Sequence, residues 1–215
     1  MKKRIVSLLL AAALLTGAAS AAGEEGAAEQ PDLDLSAASA VLMEKETGAL
    51  LYEKESHQQL EPASVTKVMT LLLIMEDLDS GRLSKEDLVT VSAAAAGMGG
   101  SQVYLKEGEQ LSAGELIKCI AVVSGNDAAV AMAEHLAGSE AAFVERMNRR
   151  AQELGMKDTA FVNCTGLPAE GHVTSAWDIA LMSRELIEKH PDIRRYTTIW
   201  MDTLRDGAFQ LANTN

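Results

Sequence analysis

The stretch 61-EPASVTKVMTLLLIMEDLDSG-81 decides how the chain is read. From Ser64 to about Asp79 the pattern is helical, but Val65, Val68, Met69, Leu71 to Ile74 and Met75 surround nearly the whole barrel. A helix apolar on every side belongs in the middle of a domain, and Gly81 supplies its stop. At its start stand Ser64 and Lys67, three residues apart and so on one face. A serine hydroxyl is a weak nucleophile at neutral pH unless a base removes its proton. Lysine serves as that base when burial lowers its pKa, and the start of an apolar helix offers such burial. The helix amino terminus also points backbone N–H groups at negative charge forming near Ser64. Ser-x-x-Lys fits an ordinary helix start with a solvated lysine as well, yet it occurs once in this chain, where a surface lysine is hard to place.

Upstream, 39-SAVLME-44 and 49-ALLYEK-54 read as strands joined by 45-KETG-48, with Gly48 free to take the positive φ of a hairpin turn. Downstream, 93-AAAAGMGGSQVYL-105 is irregular and glycine-rich, and is expected to wrap the surface near the helix start. Ser112-x-x-Glu115 is a capping box opening the apolar helix 115-ELIKCIAVV-123. A helix over 127-DAAVAMAEHLAG-138 follows, then one capped by Ser139 that runs to Leu154, and one capped by Ser175 and closed by Pro191. The middle of the chain is therefore a helical cluster.

Between two of these helices, 122-VVSGNDAAVA-131 interrupts apolar sequence with Ser124, Asn126 and Asp127. Ser124 is suited to pass a proton between Lys67 and a leaving amine, and the Asn126 amide to hold a substrate carbonyl and the lysine. The competing reading makes Ser124 and Asn126 plain caps of the next helix.

Composition sets outer limits. At 215 residues and 47% apolar content the chain has material for a real core, which excludes a disordered class for its body. Met1 to Arg4 is basic, Ile5 to Leu15 apolar, and Ala19-Ser20-Ala21 offers a small-residue cleavage site, so residues 1–21 read as a secretory signal peptide. The apolar run is shorter than the ~20 residues of a membrane span. Removing residues 1–21 takes away Lys2, Lys3 and Arg4 and no acid, moving the formal charge of −12 to −15. Such a chain is a poor partner for nucleic acid or anionic lipid. Residues 22–36 are acidic and without apolar period, a flexible leader, and order is expected from about Ala37. Cys119 and Cys164 read as buried, idle thiols, His57, His135, His172 and His190 carry no motif, and no Cys/His spacing resembles a metal site, so no metal or cofactor is expected.

Taken together, 51-LYEKESHQQLEPASVTKVMT-70, 105-LKEGEQLSAGELIKCIAVVSGNDAAVAMAEHLAG-138, 143-FVERMNRRAQELGMKDTAFVNCTGL-167 and 174-TSAWDIALMSRELI-187 resemble the low-molecular-weight penicillin-binding proteins, the serine D-Ala-D-Ala carboxypeptidases of peptidase family S11. The pieces occur in family order and cover nearly everything from Ser39 onward. The resemblance implies an α+β fold of the β-lactamase and penicillin-binding-protein transpeptidase type. It also implies that Ser64 attacks the carbonyl between the two terminal D-alanines of a peptidoglycan stem peptide while Lys67 takes its proton, with Ser124 and Asn126 as the second catalytic element. An acyl-serine would then be hydrolysed by water, or trapped by a β-lactam. Activity would lie outside the cytoplasmic membrane, in keeping with the signal sequence.

A third family motif, Lys-Thr-Gly, is absent, since 45-KETG-48 has an extra residue and lies in the first hairpin. The expectation is therefore a partial catalytic domain over residues 37–215, with an incomplete antiparallel sheet, impaired turnover, less cover for the buried helix and no visible membrane anchor. Two alternatives stand beside it: a non-catalytic remnant that at most binds peptidoglycan or β-lactam, and a class A-like serine β-lactamase. Against the latter, no Glu-x-x-Leu-Asn string is present.

Overall fold

A computed structural model describes Leu33–Asn213. Residues 1–21, expected to be a secretory signal, and most of the expected leader lie outside these residues. Of the leader, Leu33 to Ser36 is described, and the Leu35 carbonyl accepts a 2.6 Å hydrogen bond from Lys54 Nζ.

The element order is β1 (Ala40–Met43), β2 (Leu50–Lys54), α1 (Lys67–Asp79), β3 (Leu88–Thr90), α2 (Ala93–Ala96), β4 (Gln110–Ser112), α3 (Ala113–Val123), α4 (Asn126–Ala137), α5 (Glu140–Glu153), α6 (Ala176–Lys189), α7 (Arg194–Thr197), β5 (Met201–Leu204) and β6 (Phe209–Ala212). The fold is α+β: a helical cluster around α1, with short two-stranded antiparallel sheets packed against it. No helix among the described residues is long and apolar enough to cross a membrane.

α1 is the axis. Met69, Leu72 and Ile74 are fully buried on different sides of it, and each contributes roughly 1.5–3 kcal/mol by leaving water. Helices α3, α4, α5 and α6 all pack against it. The body of the helix is covered, with Val68 and Leu78 half-buried among its apolar residues, while Val65, just before α1, is 40% exposed. The helix ends follow the local chemistry that the sequence predicts. Ser112 and Glu115 close a reciprocal capping box at α3, Ser139 caps α5 through Ala142 N, and Ser175 caps α6 through Asp178 N. Gly138 stops α4 in the left-handed conformation.

β1 and β2 pair antiparallel as a two-stranded sheet, and Gly48 takes φ +75° in the turn as expected. Leu42 and Leu51 on this hairpin are about half exposed. Two further antiparallel pairs, β3–β4, whose strands are separated by α2, and the hairpin β5–β6, are not foreseen from the sequence. Their strands are three or four residues long and give too little alternation to register. The segment after α2 runs over the surface as expected, with Gly97, Gly99, Gly100, Ser101 and Tyr104 exposed, and it is pinned to the core beside α4 by two inward-turned residues, Val103 and Leu105.

Candidate active site

Ser64 is not in α1 itself. It lies in a short 3-10 turn, Ala63–Thr66, that feeds α1, and its side chain faces solvent. Lys67, the first residue of α1, is only 3% exposed. Its Nζ donates to Ser64 Oγ at 3.2 Å and to the Thr165 carbonyl at 2.7 Å. Burial lowers the Lys67 pKa from 10.5 to about 8, against an opposing contribution from Cys164. The solvated-lysine reading is thereby excluded: the amine is held against the hydroxyl, dry enough to part with its proton near neutral pH.

The partner of this lysine comes from the loop Asn163–Leu167, about a hundred residues further along. Thr70, one turn into α1, donates to the Cys164 carbonyl at 2.8 Å, so the loop is fastened to α1 at two points. Gly166 explains how close the approach is. It has φ +85°, and a Cβ there would stand 1.7 Å from the Ala63 carbonyl oxygen, so the backbones meet where no side chain fits. Ala63, next to the serine, is itself left-handed at φ +46°. On the far side Thr66 Oγ1 lies 2.8 Å from His172 Nε2, while His172 Nδ1 accepts the Val162 N–H at 2.9 Å. Nδ1 being the acceptor, Nε2 carries the proton and donates to Thr66. Burial holds the His172 pKa below its usual value, in keeping with a neutral ring.

The second polar cluster sits at the α3–α4 junction. Ser124 ends α3 in the left-handed conformation, φ +57°, which is uncommon for a residue with a Cβ. Its Oγ is buried with no hydrogen-bond partner among the described residues, and so is Asn126 Oδ1. Neither side chain caps α4, whose N-cap is Gly125 without a side-chain bond. The capping reading is therefore excluded too. Asn126 donates its backbone N–H to Ser101 O and its amide Nδ2 to Gly99 O, both at 2.7 Å. The Nδ2 expected to hold a substrate carbonyl is thus spent on Gly99, while Asn126 Oδ1 does not take up the expected bond from Lys67 and is left without a partner among the described residues. Next to it the fully buried Asp127 carboxylate accepts from Val103 N, Leu105 N and Ala128 N, fixing the same segment.

Ser64 and Lys67 are thus in direct contact, whereas Ser124 and Asn126 form no hydrogen bond with either. Gly100 bridges the two clusters. A Cβ on it would lie 2.7 Å from Asn126 Nδ2 and 3.5 Å from Leu167 Cδ2, and Leu167 follows the glycine pressed on Ala63. Sequence reasoning missed the loop Asn163–Leu167 as a part of the site. Its Asn-Cys-Thr-Gly signals a turn, but nothing local tells which distant side chain the turn will meet. Among the described residues no group of three or more His, Cys, Asp and Glu is placed to hold a metal ion.

A family profile described as D-alanyl-D-alanine carboxypeptidase, peptidase S11, matches residues 24–215. The D-alanyl-D-alanine carboxypeptidase DacF of Bacillus subtilis strain 168 is 49% identical over 218 residues, covering 100% of this chain and 56% of its own length. The chain thus spans about half the length of the curated relatives it matches. The crystal structure of penicillin binding protein 6B from Escherichia coli superposes with a TM-score of 0.78 at 38% identity, over 82% of this chain and 57% of that one. Penicillin-binding protein D2 from Listeria monocytogenes in its ampicillin-bound form does so with a TM-score of 0.75 at 32% identity, over 86% of this chain and 75% of that one.

Proposed function

The chain belongs to the D-alanyl-D-alanine carboxypeptidase family, peptidase S11, and from that premise we propose that it carries the serine machinery that removes the terminal D-alanine of peptidoglycan stem peptides. The observation that carries the reading is the 3.2 Å contact between the Ser64 hydroxyl and a Lys67 amine whose pKa burial lowers to about 8.

The proposed roles are these. Neutral Lys67 takes the Ser64 proton as Oγ attacks the carbonyl between the two D-alanines. The protonated amine then has the Thr165 carbonyl as its second acceptor, which steadies the charge it has gained. Ser124, with its buried and unpartnered Oγ, carries a proton to the departing D-alanine amine. Asn126 Oδ1 is a free acceptor for a substrate amide N–H, its Nδ2 being already committed to Gly99. Water hydrolyses the acyl-serine. A β-lactam acylates the same Ser64, in line with the ampicillin-bound form of the Listeria relative. Residues 1–21 act as a cleaved secretory signal that places the enzyme outside the cytoplasmic membrane.

The test is intact mass after the full chain meets a penicillin, with Ser64→Ala beside it. A mass gain of one penicillin, absent in Ser64→Ala, is the expected outcome, followed by release of D-alanine from a peptide ending in D-Ala-D-Ala. A folded wild-type chain that gains no mass overturns the catalytic reading and leaves at most a binding remnant.

A further inference from the structure

The Lys67 amine is aimed by a carbonyl on a loop, and a carbonyl is only as well placed as the loop that bears it. Within that loop Asn163 makes most of the hydrogen bonds. Its Oδ1 accepts from Thr165 N at 3.1 Å, Thr165 Oγ1 at 3.0 Å and Gly166 N at 2.7 Å. Its Nδ2 donates to the Leu167 carbonyl at 2.8 Å, and Leu167 N closes back on Thr165 Oγ1 at 3.3 Å. One amide thus satisfies polar groups of three successive residues, Thr165, Gly166 and Leu167, while the Thr165 carbonyl is left pointing at Lys67. An Asx turn of this kind sets backbone direction without help from secondary structure.

We propose that Asn163 is a positioning residue for the reaction proposed above: it locks the Asn163–Leu167 loop so that the Thr165 carbonyl aims the Lys67 amine at Ser64, and so that the loop keeps water from that amine. The inference rests on Lys67 acting as the base. Asn163 touches neither Lys67 nor Ser64 by hydrogen bond and acts only through the loop. The titratable neighbours on this side are the fully buried Cys164, whose thiol burial keeps protonated, and Glu140, whose Oε1 accepts the Cys164 N–H.

Two readouts on the full chain test it. The first is the pH titration of the Lys67 side chain, followed by the carbon-13 shift of its Cε. The second is the rate of Ser64 acylation by penicillin above that titration. In Asn163→Ala the loosened loop admits water to the amine, so the titration moves up from about 8 toward the ordinary 10.5. The limiting acylation rate falls about 10–100-fold, as small misplacements of a catalytic group do. Asn163→Ser, neutral and able to form the same turn more weakly, lies between Ala and wild type on both readouts and decides the matter if the Ala variant does not fold. A merely structural role lowers the melting temperature and leaves the titration midpoint unmoved. Folded variants that titrate and acylate as wild type does therefore overturn the inference alone, whereas a wild-type chain inert to penicillin overturns the function on which it rests.

Discussion

Lys67 carries a physical conflict at the scale of one residue. The burial that makes its amine a usable base also makes its cation costly, and both effects have signs that can be measured. The neutral amine is the reactive form, so acylation of Ser64 rises with pH through about 8 and levels off above it. Stability follows the same titration. Between pH 8 and 10.5 the unfolded chain holds a proton on this lysine that the folded chain has lost, so unfolding free energy climbs with pH across that window. Denaturant unfolding at pH 8 and pH 10 should show this slope in wild type, and Lys67→Met should lack that contribution. Equal slopes in the two proteins would mean that the folded lysine keeps an ordinary pKa.

Among the elements, the start of α4 has the densest set of obligations. Asp127, buried completely, is the carboxylate to which Val103 and Leu105 donate their N–H groups, and these residues anchor the segment that holds Asn126 through Ser101 and Gly99. Hydrogen bonds to a charged group are worth roughly 1.5–3 kcal/mol each, so Asp127→Ala should cost about 3 kcal/mol or more. For a chain of this size that lowers the melting temperature by roughly 6–12 °C, and the amides of Val103 and Leu105 should lose their protection from hydrogen exchange. Asp127→Asn, which keeps an acceptor, should fall between. This segment also shows what the sequence could reveal. Ser112, Ser139 and Ser175 announce their helices because a cap is satisfied within four residues, and an all-round apolar barrel announces α1. The pair Ser64 and Lys67 is legible for the same reason, being three residues apart. What stays hidden is set at long range: Gly100 against Asn126, Gly166 against Ala63, and the Thr165 carbonyl against Lys67. Each depends on two backbones meeting, and no local pattern in either partner encodes the meeting.

Across the whole molecule, the site belongs to no single stretch of chain. Segment 56–62, leading to the serine, is tied by Trp177 N to Ser56 O and by the bridge Leu60 to Thr174. α1 supplies the lysine, the α3–α4 junction supplies Ser124 and Asn126, and a loop between α5 and α6 supplies the carbonyl that accepts from the lysine. Helix packing is what brings them together, so core substitutions such as Leu72→Ala, costing about 2–5 kcal/mol, act on the site without touching it. The bond from Lys67 to Thr165 spans 98 residues of chain, and that separation has a consequence in time as well as in space. During synthesis the serine and the lysine leave the ribosome almost together, well before the carbonyl that orients the amine and the loop that dries it. For that interval the nascent chain holds an ordinary hydroxyl beside an ordinary ammonium, and the chemistry proposed for the pair has to wait until the later half of the polypeptide has arrived to fold over the earlier one.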